Sequence, residues 1–135
     1  MPIRLKERPI FMIGAERSGT TLVMALLGCH SRIAVPEVVW YYPRFYPYLH
    51  TYGDLSQEKK FPRPGRGNGL RPETPFWGMR VNPRTIVDEV LELAPERSFA
   101  GLYAGMHMRF AQYVSKPRWG EKTPHNLYFV GPMHP

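Results

Sequence analysis

Residues 9–28 of the chain, which decide the fold, read PIFMIGAERSGTTLVMALLG. The apolar run 9–13 has no polar alternation, which is typical of a strand buried on both faces of a parallel sheet. Residues 20–27 are apolar after two threonines and predict a buried helix that ends at Gly28. With a second short strand at residues 33–35, the order of elements is that of a βαβ unit. The sequence therefore predicts an α/β fold.

The loop between this first strand and helix, residues 14–21, has the glycine spacing of a phosphate-binding P-loop, G-x-x-x-x-G-K-[ST]. Glycines let successive backbone N–H groups point inward, and the helix that follows adds its positive end, so the loop predicts an anion site. Thr20 stands where the lysine of that motif belongs. Since that lysine reaches the β- and γ-phosphates of a nucleoside triphosphate, its absence argues against γ-phosphate chemistry. Arg17 and the neighbouring hydroxyls favour a shorter anion chain.

The rest of the chain predicts helices and loops rather than further strands. Residues 40–52 are rich in aromatic side chains and carry two prolines that preclude a long helix, so they either form an acceptor pocket or pack on the sheet. Residues 56–75 predict a flexible basic loop. Three further helices are predicted: one beginning at Pro83 and reaching Ala94, one capped by Ser98 and reaching about Val114, and a short one from Pro124 to Val130, capped by Thr123 after a turn at residues 119–124.

Composition limits the class of protein. The 135 residues include one cysteine, which excludes a disulfide-built scaffold, and the 43% hydrophobic share excludes a disordered chain. This length supports one core, so we expect a single domain. The sequence has neither an apolar run of about 20 residues nor a signal peptide, so we expect a cytoplasmic protein without a membrane partner. The net charge is +7 and thirteen of the 18 basic residues are arginine, which favours an anionic ligand. The histidines and the cysteine lack metal-ligand spacing, so we expect no metal.

Residues 17–22, Arg-Ser-Gly-Thr-Thr-Leu, resemble the loop of the sulfotransferase superfamily residue by residue. In that family the loop holds the 5′-phosphosulfate of 3′-phosphoadenosine 5′-phosphosulfate (PAPS), the sulfuryl donor. The stretch from Ala25 to Glu37 is similar to the branch that contains the tyrosylprotein sulfotransferases and their bacterial relatives. The resemblance implies a P-loop-like parallel sheet flanked by helices and a PAPS site formed by five residues: Arg17, Ser18, Gly19, Thr20 and Thr21.

The same resemblance implies two catalytic residues. Glu37 follows the second strand and is the candidate base that takes the proton of an acceptor hydroxyl, with a register uncertain by one residue. Lys122, in the string Gly120-Glu121-Lys122-Thr123-Pro124, corresponds to the lysine that contacts the transferring sulfuryl group. His125 follows this string, and we expect it to cap a helix or face solvent.

The resemblance covers only the first half of a sulfotransferase domain. The family's later strand ends in Arg-Asp, and a helix after it carries a serine; that arginine and serine hold the 3′-phosphate of the donor and have no counterpart here. We therefore expect residues 1–135 to form a single, incomplete sulfotransferase-like domain that by itself binds PAPS weakly.

The function predicted from the sequence is sulfuryl transfer from PAPS to a hydroxyl acceptor: a peptide tyrosine, a carbohydrate or a small alcohol. One alternative is a small-molecule kinase or other nucleotide-binding protein with a degenerate P-loop, which Thr20 and the lack of an evident magnesium-binding aspartate oppose. Another is a non-enzymatic basic module that binds nucleic acid. This is opposed because the basic residues crowd residues 56–84 while the aromatic residues lie elsewhere, so no nucleic-acid partner is expected.

Overall fold

The structure is a computed structural model that describes residues 8–38, 40–54, 77–82 and 85–133. The predicted basic loop at 56–75 and the predicted helix start at Pro83 lie outside the described residues. The helices and strands, in chain order, are β1 (Ile10–Met12), α1 (Thr20–Gly28), β2 (Ile33–Ala34), α2 (Tyr41–Phe45), a 3₁₀ helix (Tyr46–Tyr48), α3 (Leu49–Tyr52), α4 (Ile86–Leu93), α5 (Phe99–Tyr113), β3 (Arg118–Lys122), a second 3₁₀ helix (Pro124–Phe129) and α6 (Val130–Met133).

The described strands form one parallel sheet in the order β1-β3-β2. Ile10 pairs with Gly120 at one edge of β3, and Ile33 pairs with Arg118 at the other. The α/β class with a parallel sheet flanked by helices is therefore confirmed. The predicted turn at residues 119–124 is wrong, because residues 118–122 form the central strand. A simple βαβ unit would place β1 and β2 side by side in the sheet. In this structure β3 lies between them.

The central strand is buried on both faces although it carries charged residues. Trp119 is buried with Ala34 and Ala111, between the sheet and α5. Lys116, just before β3, donates hydrogen bonds from Nζ to the carbonyl oxygens of Gly28 (2.6 Å) and Ile33 (3.1 Å). These bonds tie the entry of β3 to the end of α1 and the start of β2, two segments more than 80 residues earlier, and so support the pairing of β2 with β3.

The helix capped by Ser98 is confirmed: α5 begins at Phe99, and Ser98 Oγ accepts a hydrogen bond from the Gly101 amide (2.9 Å). α5 packs closely against α4, since a Cβ added at Gly105 would lie 2.4 Å from the Val90 carbonyl oxygen. A side chain at this crossing would push the two helices apart, so glycine allows the close packing.

The helix predicted from Pro83 to Ala94 is described from Ile86 to Leu93 as α4, and its predicted first residue lies outside the described residues. One other helix prediction needs correction. The short helix predicted after Thr123 is a 3₁₀ helix that ends at Phe129 and continues as α6. Thr123 occupies its N-cap position, but the threonine side chain makes no capping hydrogen bond.

Helix α1 keeps most of its apolar surface in contact with solvent. It is apolar on all sides and has no fully buried residue, and Leu22 and Leu26 are each 65% exposed. An apolar helix is ordinarily covered on all its faces. The prediction of a helix is confirmed here, whereas the prediction that it is buried is wrong for this structure. No described helix is long and apolar enough to cross a membrane.

Candidate active site

The loop between β1 and α1 contains two residues with left-handed backbone conformation. Arg17 has φ 61° and Gly19 has φ 90°, so two residues in the left-handed region flank Ser18. Such alternation turns successive N–H groups toward one side and forms an anion-binding concavity. Glycine at position 14 lets the start of the loop pass close to the first residue of α1, since a Cβ there would lie 2.9 Å from Cγ2 of Thr20. The Ser18 hydroxyl donates to the Ala15 carbonyl oxygen, so it stabilises the loop from within.

The first turn of α1 is open toward this loop. The Leu22 and Val23 amides donate to the Gly19 carbonyl oxygen (3.0 and 3.2 Å), and no side chain caps the helix. The amides of Thr20 and Thr21 precede these first intrahelical bonds and belong to the donors that a helix leaves to other partners. Together with the positive end of the helix dipole, they make the concavity suitable for an anion.

Lys122 reaches this loop from the centre of the sheet. It pairs with Met12 across the parallel β1–β3 ladder, so the ends of both strands lie at one edge. Lys122 Nζ donates a hydrogen bond to Thr21 Oγ1 (3.2 Å). The lysine is only 4% exposed, so its charge is held against the loop with little solvent around it. The structure thus brings together two site residues that are about a hundred positions apart in the sequence.

Glu37 lies at the same edge of the sheet without contacting the loop. It follows β2, which pairs in parallel with β3, and its side chain is exposed. Its main-chain carbonyl oxygen accepts a hydrogen bond from Trp77 Nε1 (2.8 Å), which fixes the backbone at this point. Among the described residues, no hydrogen bond or ion pair joins its carboxylate to Lys122 or to the loop.

His125 is close to the site, a position that the sequence argument did not favour. Its Nδ1 atom lies 3.2 Å from Oε1 of Glu16 in the loop, within ion-pair distance but without the geometry of a hydrogen bond. Its ring packs on Trp40, with 4.5 Å between the ring centroids. The side chain keeps 37% of its surface exposed, so the expected solvent exposure holds in part, and His125 also lies against the loop at Glu16. The available signal was its position three residues after Lys122, at the end of the central strand.

Behind Lys122, the opposite face of β3 carries a buried polar network. Glu121 is 2% exposed, and Asn126 Nδ2 donates to Glu121 Oε2 (3.0 Å) and to the Tyr103 hydroxyl oxygen (3.1 Å). The second carboxyl oxygen of Glu121 is buried without a hydrogen-bond partner among the described residues. Burial raises the pKa of Glu121, although its hydrogen bonds and the charge of Lys122 act in the other direction. The network holds the end of β3 in place next to Lys122, the last residue of the strand.

The aromatic stretch after Glu37 is mainly a packing element. Tyr41 and Tyr42 are buried in a core cluster with Tyr103 of α5. Burial, together with the nearby Tyr46 and Glu121, raises the pKa of Tyr42 to about 12, so its hydroxyl stays protonated. Trp40, by contrast, is 38% exposed and faces His125. Of the two predicted roles, packing on the core therefore applies to these tyrosines, and Trp40 is directed to the site.

The model of the sulfotransferase family matches residues 9–134 of this chain. Comparison with curated proteins and with solved structures gives no significant match. The matched range includes the loop after β1, the central strand with Lys122 and the segment that carries Glu37. Since the match covers most of the sequence, the chain belongs to the sulfotransferase family, whose members transfer sulfuryl groups.

Proposed function

We propose that this protein takes the sulfuryl group of PAPS and transfers it to a hydroxyl acceptor. The observation that carries the proposal is the bond from Lys122 Nζ to Thr21 Oγ1 (3.2 Å). It supplies a cation to a P-loop-like loop that has no lysine of its own at position 20. Family membership supports sulfuryl rather than phosphoryl transfer.

The loop residues suit the 5′-phosphosulfate of the donor. The left-handed residues Arg17 and Gly19 open the backbone N–H groups toward one side, and Gly14 leaves room that a Cβ would fill. In our proposal these amides, the Thr20 and Thr21 hydroxyls and the Arg17 guanidinium hold the anionic oxygens. Ser18 has a different part, because its hydroxyl donates within the loop.

The reaction needs a base, a cation and in-line placement. In the transfer the acceptor oxygen forms a bond to sulfur, the bond from sulfur to the bridging phosphate oxygen breaks, and adenosine 3′,5′-bisphosphate leaves. Glu37 takes the proton of the acceptor hydroxyl, and Lys122 balances the charge that develops on the leaving phosphate. The Glu37 carboxylate is exposed, so it is accessible to an acceptor hydroxyl for this step.

Nucleotide binding by single variants tests the proposal. We expect wild-type protein to bind PAPS at least tenfold more tightly than magnesium ATP, measured by isothermal calorimetry. Arg17→Ala and Lys122→Met should each weaken PAPS binding by tenfold or more, because Arg17 is the exposed guanidinium of the loop and Lys122 is a cation held against the loop with little solvent around it. The matched control Arg44→Ala removes an exposed arginine of α2 and should leave the affinity unchanged.

Two results would refute the proposal. Tighter binding of magnesium ATP than of PAPS would favour the degenerate P-loop kinase. Unchanged PAPS affinity in Arg17→Ala, with salt-dependent oligonucleotide binding that persists in this variant, would favour the nucleic-acid module.

A further inference from the structure

Three side chains with rings form a continuous row at the edge of the candidate site. The centroid of the His125 ring lies 4.5 Å from that of Trp40 and 6.1 Å from that of Tyr128. We call Trp40, His125 and Tyr128 the aromatic row. Trp40 is 38% exposed and Tyr128 is 78% exposed, so two of the three rings present large areas to solvent.

The aromatic row lies directly beside the groups of the proposed reaction. His125 Nδ1 is 3.2 Å from Glu16 Oε1, and Glu16 precedes Arg17 in the loop. His125 follows Lys122 by three residues, and Trp40 follows Glu37 by three residues. The contact between Trp40 and His125 therefore joins the segment after β2, which carries the candidate base, to the segment that directly follows the candidate cation at the end of β3.

The row is distinct from the aromatic core. Tyr41 and Tyr42, the residues next to Trp40, are buried in the core cluster. The Trp40 ring instead packs on His125, in the 3₁₀ helix after β3. Exposed rings grouped at a site, rather than scattered singly, mark a binding surface, and a ring face is complementary to a flat apolar face on its ligand.

We propose that the aromatic row is the acceptor-binding surface, and that it selects hydroxyl acceptors that carry a flat ring over open-chain alcohols. This inference rests on the proposed function, since it takes the loop as the donor site. A phenol and a pyranose sugar share the required chemistry, a hydroxyl group next to a flat face that stacks on Trp40 or Tyr128.

Binding of three small probes tests the proposal: 4-methylphenol, methyl β-glucopyranoside and 1-butanol. Dissociation constants come from saturation-transfer NMR on the whole chain in the presence of adenosine 3′,5′-bisphosphate. At least one ring probe should bind at least tenfold more tightly than 1-butanol. Tight binding of the phenol alone assigns an aromatic acceptor, and tight binding of the glucoside alone assigns a carbohydrate.

Variants locate that binding on the row. Trp40→Ala and Tyr128→Ala should each weaken the preferred ring probe by fivefold or more, whereas Tyr48→Ala, at an exposed tyrosine outside the row, should have no effect. Because Tyr128 is mostly exposed, its variant is expected to fold even if the Trp40 variant does not. Equal binding of all three probes, or ring binding that Tyr128→Ala leaves unchanged, overturns the proposal.

Nucleotide affinity on the same samples separates this inference from the proposed function. If adenosine 3′,5′-bisphosphate binds but the protein does not prefer a ring probe over 1-butanol, the proposed acceptor surface is refuted and the proposed donor site is not. If ring probes bind to the aromatic row but neither this nucleotide nor PAPS binds, the proposed donor site is refuted. The assignment of the row as an acceptor surface then fails as well, because it depends on that donor site.

Discussion

Replacing His107 by phenylalanine should remove the acid sensitivity that this buried imidazole confers on the fold. His107 is fully buried in α5, and its ring is surrounded by those of Trp77, Tyr103 and Trp119. Nδ1 lies 2.8 Å from the Tyr103 carbonyl oxygen, which can only accept, so Nδ1 carries the proton. Nε2 is buried without a partner among the described residues, and no group there stabilises a second proton.

The size of the effect follows from the pKa of this imidazole. Burial lowers the pKa of His107 from 6.5 to about 4, although the hydrogen bond to Tyr103 acts against this shift. Below pH 6.5 the unfolded chain binds a proton that the folded chain rejects, so stability is present above pH 6.5 and is lost as the pH falls. Linkage then gives a loss of about 2 kcal/mol between pH 8 and pH 5, and about 3 kcal/mol by pH 4.

Urea unfolding at several pH values measures this term. The free energy of unfolding of wild type minus that of His107→Phe should fall by about 2 kcal/mol between pH 8 and pH 5. The buried Glu121 carboxyl is present in both proteins, so its contribution cancels in the difference. His50→Phe, at an exposed position, is the control and should retain the acid sensitivity that His107 confers. A difference between wild type and His107→Phe that is flat from pH 8 to pH 5 would refute the reasoning.

Two further substitutions test the packing around the site. Burial raises the pKa of Glu121, so its contribution to stability is present below the unfolded pKa of 4.5 and is lost as the pH rises through the higher folded value. The free energy of unfolding of wild type minus that of Glu121→Gln, in which the contribution of His107 cancels, should therefore fall between pH 4 and pH 8 in urea titrations, and a flat difference would contradict this. Gly105→Ala should lower the free energy of unfolding by about 1 to 3 kcal/mol, because its Cβ would lie 2.4 Å from the Val90 carbonyl oxygen. Gly131→Ala, which would meet nothing within 4 Å, is the matched control, and equal melting temperatures for the two alanine variants would disprove the close-packing argument.

The sequence predicted the elements whose signals are local. β1, α1, β2 and the Ser98-capped α5 all depend on short apolar runs, glycine positions and a capping serine that can be recognised without tertiary context. The central strand was missed because its residues 118–122, Arg-Trp-Gly-Glu-Lys, have the composition of a turn. Its two buried charged side chains, Glu121 and Lys122, have tertiary hydrogen-bond partners that the composition does not reveal: Asn126 on one face and Thr21 on the other.

The sequence likewise predicted the part of the candidate site that depends on strand ends, and not the contacts made by side chains from distant segments. The loop residues and Lys122 come together as the motif implies, because parallel strands end at one edge of a sheet. The position of His125 after Lys122 places it near the loop, whereas its contacts with Glu16 and Trp40 join parts of the chain that are distant in the sequence. The roles of Glu37 and Lys122 stay predictions that the variants above are designed to test.

The central place of β3 has a consequence for how the protein is made. β1 pairs with β3 from Ile10 to Gly120, and β2 pairs with β3 from Ile33 to Arg118, so in the described sheet both outer strands wait for a segment synthesised much later. Closing chain segments of this length is slow, and unpaired strands are prone to wrong association in the meantime. As the nascent chain leaves the ribosome, the residues of α1 are therefore made soon after the loop that follows β1. The strand β3, which carries Lys122, is made about 90 residues later. The contact of Lys122 with the loop can form only once residues 118–122 have been synthesised.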